Sequence, residues 1–146
     1  SVLGGQGEVV MNLEKLQSEI ESDEGFMQYP YKDTRGYLTI GFGINLTTTG
    51  ITKEEARWIT KNRLLAVHDA LVDRLPVFKT LDENRQRALV NMAYNMGIDG
   101  LLKFKKMIAA LEANDYEAAA DEAGNSLWAT QVGDRAKRLI GVIRGI

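Results

Sequence analysis

The chain has 146 residues and no cysteine, carries a formal net charge of −2, and is 45% hydrophobic and 26% charged. This length corresponds to about one domain, and the composition is ordinary for a globular protein. Without cysteine there can be no disulfide framework, no thiol nucleophile and no zinc site built on thiolates. The presence of one histidine, His68, also argues against a metal site made of several histidines.

Charge and hydropathy exclude two further classes of partner. A slightly acidic chain lacks the basic surface of a nucleic-acid-binding domain, so we expect no nucleic acid partner. No apolar run approaches the length of about 20 residues that a membrane span requires, so we expect no membrane insertion. Residues 1–10 contain no initiator methionine, whereas MNLEKL from Met11 resembles a natural start. We interpret residues 1–10 as a tag or a processed segment.

The first predicted element is a helix that begins near Met11. Leu13, Leu16 and Ile20 repeat at the spacing of one helical face, and Gly25 marks the end of the helix. From residue 29 to residue 47 the pattern changes to aromatic and β-branched side chains interrupted by glycines. This change predicts a small twisted hairpin or meander.

A long helix follows the hairpin. Thr52 and Glu55 have the spacing of a capping box, and the helical pattern continues to Pro76. A helix of this length spans on the order of 35 Å, which suits a connector between a small and a large part of the molecule. Thr80 and Glu83 predict a second capping box, which opens the first of several shorter helices. The sequence therefore predicts an α+β fold that is mostly helical.

These elements predict a single domain over residues 11–146. Its small lobe covers about 23–51, and the connecting helix covers about 52–75. The helical large lobe covers about 76–146 and includes the 11–22 helix. A cleft between two such lobes is a favoured place for a ligand.

The residues that offer chemistry lie in the stretch DEGFMQYPYKDTRGYLTIGFG. Glu24 lies where the first helix ends, Asp33 in a turn, and Thr39 on a predicted strand. Hydrolysis of a glycosidic bond needs two carboxyl groups, one that protonates the leaving oxygen and one that activates water or stabilises the oxocarbenium-like state. A hydroxyl group can donate to and accept from one water molecule at once. Acidic residues in turns are common, however, so the spacing alone does not identify an enzyme.

The motifs around these residues identify a family. Glu, eight residues, Asp, five residues and Thr, embedded in DEG, YKDT, GY and TIGFG, closely resemble the catalytic region of the T-even type of phage lysozyme. The resemblance continues through ITKEEA, VNMAYNMG, YEAA and DRAKR, and so covers almost the whole chain from Met11. It implies the lysozyme-like two-lobed fold, with a small β-hairpin lobe, a long connecting helix and a helical large lobe.

The resemblance implies a role for seven residues. Glu24 falls at the family's general acid, Asp33 at its second carboxylate and Thr39 at the residue that places the water. Arg135, in DRAKR, falls at the arginine that forms an ion pair with the catalytic glutamate and links the lobes. Three residues fall at positions that contact the glycan: Asn45, Tyr94 and Asn95.

Other positions are interpreted as structural or as departures from the family. Trp128 falls at a buried tryptophan, so we expect it in the core, and His68 is expected to be a structural histidine in the long helix. Ile44 stands where the type member of the family has a histidine, so the ion pair of that histidine cannot form. The segment before ITKEEA is also shorter than in the family, which implies fewer contacts to the glycan.

The resemblance implies a muramidase that cleaves the β-1,4 bond between N-acetylmuramic acid and N-acetylglucosamine in bacterial peptidoglycan, leading to host cell lysis. We expect a monomer that acts on glycan strands without a metal or other cofactor. It would remain in the host cytoplasm until a separate membrane-permeabilising protein releases it to the periplasm.

Two alternatives remain open, a lytic transglycosylase and a virion-associated lysozyme domain. The choice between inversion and retention depends on whether the two carboxyl groups lie about 6.5 to 9.5 Å or about 5 to 5.5 Å apart.

Overall fold

The computed structural model describes residues 10–145, and the interpretation of residues 1–10 as a tag therefore concerns a segment that lies almost wholly outside the described range. Contacts along the chain divide it into two compact units, of which the first ends at Ala56 and the second begins at Arg57. The first unit contains helix α1 (Leu13–Glu24) and strands β1 (Met27–Lys32), β2 (Leu38–Gly41) and β3 (Ile44–Asn45). The combination of helices with a small antiparallel sheet confirms the predicted fold class.

The second unit is helical. Helix α2 (Lys53–Arg74) begins at the end of the first unit, and a 3₁₀ turn (Pro76–Thr80) follows it. The remaining helices are α3 (Glu83–Met96), α4 (Ile98–Leu102), α5 (Lys105–Glu112), α6 (Tyr116–Gly124), α7 (Leu127–Val132) and α8 (Asp134–Arg144). None of the helices within residues 10–145 is long and apolar enough to cross a membrane.

The three strands form an antiparallel sheet in the order β1-β2-β3. Thr39, in the middle strand, lies opposite Tyr31 of β1 and Asn45 of β3. The register of β1 shifts between Met27 and Tyr31, where Pro30 interrupts the row of backbone donors. The predicted hairpin or meander is thus present, and its register brings Thr39 and Asn45 to adjacent positions.

The start of α2 confirms the first predicted capping box. The backbone N–H of Glu55 donates to the hydroxyl of Thr52 at 3.1 Å, and the backbone N–H of Thr52 donates to the Glu55 carboxylate at 2.8 Å. Hydrogen bonds to the Glu55 carboxylate from the backbone and the side chain of Thr52 lower the pKa of Glu55. The helix ends before Pro76, whose ring cannot continue it.

The second predicted capping box is wrong. The Asp82 carboxylate, and not the Thr80 hydroxyl, accepts the backbone N–H of Arg85 and caps α3. The Thr80 hydroxyl instead donates to the carbonyl of Val77, 2.7 Å away, within the 3₁₀ turn. A carboxylate next to the helix start also interacts favourably with the positive end of the helix dipole.

The hydrophobic core of the described residues lies in the second unit. Its fully buried side chains all fall between Leu71 and Ile143, and they include Leu89 and Met92 of α3. Trp128 is 7% exposed, which confirms its predicted place in the core. His68 is half exposed, lies 3.1 Å from the Asp69 carboxylate and meets the Phe78 ring edge to face, which agrees with a structural role.

Candidate active site

Glu24 is the last residue of α1. The helix ends there because Gly25 has a φ of +71°, a conformation that glycine adopts without strain, while its N–H still donates to the carbonyl of Glu21. The chain then turns into β1, which leaves the side chain of Glu24 exposed. The sequence thus places a carboxylic acid at the junction between the helix and the sheet of the first unit.

Asp33 lies in the turn that joins β1 to β2. One of its carboxylate oxygens, Oδ1, accepts the backbone N–H groups of Arg35 and Tyr37, each at 2.9 Å. The backbone N–H of Asp33 in turn donates to the carbonyl of Tyr37. Among the described residues, none donates a hydrogen bond to Oδ2. The turn therefore fixes the orientation of the carboxylate through one oxygen and leaves the other available to a water molecule.

Thr39 is also hydrogen-bonded to the backbone of Tyr37. Its hydroxyl donates to the carbonyl of Tyr37 at 3.1 Å, and its side chain is 4% exposed. Because a hydroxyl has one proton and two lone pairs, this bond leaves Thr39 as an acceptor for a water proton. Asp33 and Thr39 are thus both oriented by the backbone of Tyr37, a link that the sequence analysis did not identify.

Asn45 lies directly across from Thr39 in the sheet. Its Oδ1 accepts the backbone N–H of Thr48 at 3.0 Å, which fixes the side chain in the turn that follows β3. This bond orients the amide nitrogen as the group that can donate to a ligand. Four of the seven predicted residues therefore belong to the first unit.

The other three predicted residues belong to the second unit. Tyr94 and Arg135 line a groove of about 670 Å³ within that unit, whereas Asn95 does not. The Asn95 side-chain oxygen accepts the indole N–H of Trp128 at 2.9 Å, so its orientation is set by a core residue. The predicted contacts of Tyr94 and Asn95 with a glycan stay predictions.

Arg135 is held by Asn91. Its Nε and Nη2 donate to the side-chain oxygen of Asn91 at 2.9 and 2.6 Å, and Nη2 also donates to the Asn91 carbonyl. This arrangement uses one edge of the guanidinium, and a carboxylate partner would bind at Nη1. The predicted ion pair between Arg135 and Glu24 joins residues of different units and stays a prediction. Asn91 was missed in the sequence because nothing local distinguishes it from other helical asparagines.

No cluster of three or more histidine, aspartate or glutamate side chains that could hold a metal ion occurs among residues 10–145. The chemistry that these residues offer is that of carboxyl and hydroxyl groups. Glu24 and Asp33 supply the two carboxyl groups that glycoside hydrolysis requires, and Thr39 adds a hydroxyl group that is held by the same residue as Asp33.

The comparison with protein families identifies the family of the chain. The family model described as Phage lysozyme matches residues 21–144, a range that contains all seven predicted residues. The chain belongs to the phage lysozyme family. The predicted family is confirmed, and membership in it supports lysozyme-type hydrolysis of the bacterial cell wall as the general class of activity.

Relatives from Dictyostelium discoideum and from Enterobacteria phage T4 are similar to the chain. The chain is 28% and 30% identical to the Probable T4-type lysozymes 1 and 2 of Dictyostelium discoideum, over 88% and 87% of its own length and 92% of each relative. It is 32% identical to the Pre-baseplate central spike protein Gp5 of Enterobacteria phage T4, over 85% of its own length. It spans only 26% of that spike protein, so the chain corresponds to a part of this relative.

Proposed function

We propose that this chain is a muramidase that hydrolyses the β-1,4 bond between N-acetylmuramic acid and N-acetylglucosamine in peptidoglycan. The observation that carries the proposal is the attachment of Asp33 and Thr39 to the backbone of one residue, Tyr37, in the same compact unit as Glu24. This attachment holds a carboxylate oxygen and a hydroxyl oxygen in a fixed relation, as binding of a nucleophilic water requires.

In the proposed reaction Glu24 is protonated and donates its proton to the glycosidic oxygen as the bond to the anomeric carbon breaks. Asp33 accepts a proton from the water while Thr39 accepts a hydrogen bond from it. The water oxygen then bonds to the anomeric carbon from the opposite face of the sugar. This reaction inverts the anomeric configuration, because it proceeds through a single displacement at the anomeric carbon.

The experiment that tests this proposal compares Glu24→Gln with the wild type in a turbidity assay on chloroform-treated Gram-negative cells. We expect Glu24→Gln to lose lysis by at least about 100-fold, since glutamine cannot supply the proton. Glu19→Gln is the matched control, because it makes the same change at an exposed position of the same helix. A Glu24→Gln variant that clears the suspension at the wild-type rate would reject the proposed role of Glu24.

Analysis of the products distinguishes hydrolysis from the reaction of a lytic transglycosylase. Hydrolysis adds one water and yields a reducing N-acetylmuramic acid end, whereas a transglycosylase yields an anhydro sugar, which mass spectrometry separates by the mass of that water. The anomeric signal in an early NMR spectrum then reports inversion or retention.

The biological setting is also a proposal. We infer a free monomeric endolysin that stays in the host cytoplasm until a separate membrane-permeabilising protein releases it to the periplasm, where it lyses the host. The similarity to a central spike protein favours a second setting, a lysozyme domain carried on the virion. Mass spectrometry of purified virions would distinguish the two, because a free endolysin is absent from the particle.

A further inference from the structure

Gly43, in the turn between β2 and β3, lies against the carboxyl group of Glu24. A Cβ atom added at Gly43 would lie 2.5 Å from Oε2 and 2.7 Å from Cδ of Glu24. Non-bonded carbon atoms pack at about 3.5 to 4 Å, so the two groups cannot both occupy these places. The Glu24 carboxyl group thus occupies space that exists because residue 43 has no side chain.

We propose that Gly43 is a positioning residue that sets the place of the Glu24 carboxyl group. The inference depends on the proposed role of Glu24 as the proton donor. Glu24 is exposed and its carboxyl group ends a flexible side chain, so an added methyl group at residue 43 would displace it at little cost in stability. The displacement would be costly for catalysis, because a shift of about 1 Å in a catalytic group lowers the rate by about 100-fold.

Gly41, the last residue of β2, provides a matched control next to this turn. Its φ is +66° and that of Gly43 is +72°, so an alanine at either position adopts a similarly unfavourable backbone conformation. The atom nearest to a Cβ added at Gly41 is Cδ1 of Ile44, at 3.4 Å, which is an ordinary contact. Gly41→Ala therefore reproduces the backbone strain of Gly43→Ala without the collision with Glu24.

The test measures kcat, KM and Tm for the wild type, Gly41→Ala, Gly43→Ala and Glu24→Gln on soluble peptidoglycan glycan strands. We expect Gly43→Ala to have a kcat about 100-fold below that of Gly41→Ala, with a similar KM. We expect the Tm values of the two glycine variants to agree within about 3 °C. A crystal structure of Gly43→Ala should show the Glu24 carboxyl group moved away from residue 43.

Equal kcat values for Gly41→Ala and Gly43→Ala, with Glu24→Gln inactive, would overturn this inference and leave the proposed function intact. An active Glu24→Gln would instead reject the general acid itself, and the inference with it. A Gly43→Ala variant that loses far more Tm than Gly41→Ala would show a structural role for Gly43. If the alanine variants fail to fold, Gly41→Asn and Gly43→Asn serve the same comparison, because asparagine tolerates positive φ better.

Discussion

At the scale of single residues, Asp33 combines a structural and a chemical task in one carboxylate. Its Oδ1 accepts two backbone N–H groups of its own turn, and these bonds are local enough to form in any variant that keeps an oxygen at that place. The proposed chemistry requires instead the negative charge and the second oxygen. The two tasks can therefore be separated by substitution.

Asp33→Asn should keep the turn and lose the activity. Asparagine retains Oδ1 as an acceptor for both backbone N–H groups, but it is a much weaker base, so we expect lysis to fall by at least about 100-fold with little change in Tm. Asp33→Ala should lose the same activity and also about 1 to 2 kcal/mol of stability, because both hydrogen bonds are removed. Turbidity assays and urea unfolding measure the two effects. Asp73→Asn, an exposed aspartate of α2, is the control, and unchanged lysis by Asp33→Asn would contradict the assignment.

At the scale of elements, the two predicted capping boxes show how far a local pattern determines a helix start. The pattern at Thr52 succeeds because the reciprocal bonds with Glu55 form within one turn. The same pattern at Thr80 fails because that residue belongs to a 3₁₀ turn and its hydroxyl bonds backwards to Val77. Asp82, two positions later, is then the first side chain free to cap α3.

Asp82 predicts a dependence of stability on pH. Burial is the largest influence on its pKa and raises it, but the hydrogen bonds and the positive charge of Arg85 together outweigh burial and leave the pKa below the ordinary value of 3.8. Because the pKa of Asp82 is lower in the folded state, its ionisation stabilises the fold at any pH above the pKa of the unfolded chain. This stabilisation is lost as the pH falls from about 3.8 through the lower pKa of the folded state. Because the Asp82 side chain is 46% exposed, we expect its ionised form to contribute about 0.5 kcal/mol to the free energy of unfolding.

Two variants measure this contribution by urea unfolding at pH 7 and pH 3. Asp82→Ala should lose about 1 kcal/mol at pH 7, since alanine cannot cap the helix. Asp82→Asn keeps a capping oxygen, so it should lose less, and its difference from the wild type should shrink at pH 3. A difference that grows toward low pH would show that the sign of this dependence is wrong.

At the scale of the whole molecule, stability depends on the buried side chains of the second unit. Leu89→Ala should lower the free energy of unfolding by about 2 to 5 kcal/mol, because Leu89 is 0% exposed and its removal leaves a cavity. Leu127→Ala makes the same change at a side chain that is 72% exposed, and we expect a loss within about 0.5 kcal/mol. Denaturant unfolding of both variants tests the location of the core, and equal losses would contradict it.

The sequence by itself determined the family, the fold class and the capping box at Thr52. The family and the fold class follow from motifs, and the capping box follows from an interaction over three positions. Both kinds of pattern can be recognised in the sequence without knowledge of the tertiary structure. It also located Trp128 in the core, through the family pattern.

Only the tertiary structure decided the environment of the candidate site residues. The backbone of Tyr37 orients both Asp33 and Thr39, and Gly43 makes room for Glu24 although these two residues lie on different elements. Arg135 is held by Asn91, 44 positions away. The contacts between Gly43 and Glu24 and between Arg135 and Asn91 depend on the path of the chain through turns and on the packing of distant helices, so no local pattern of residues encodes them.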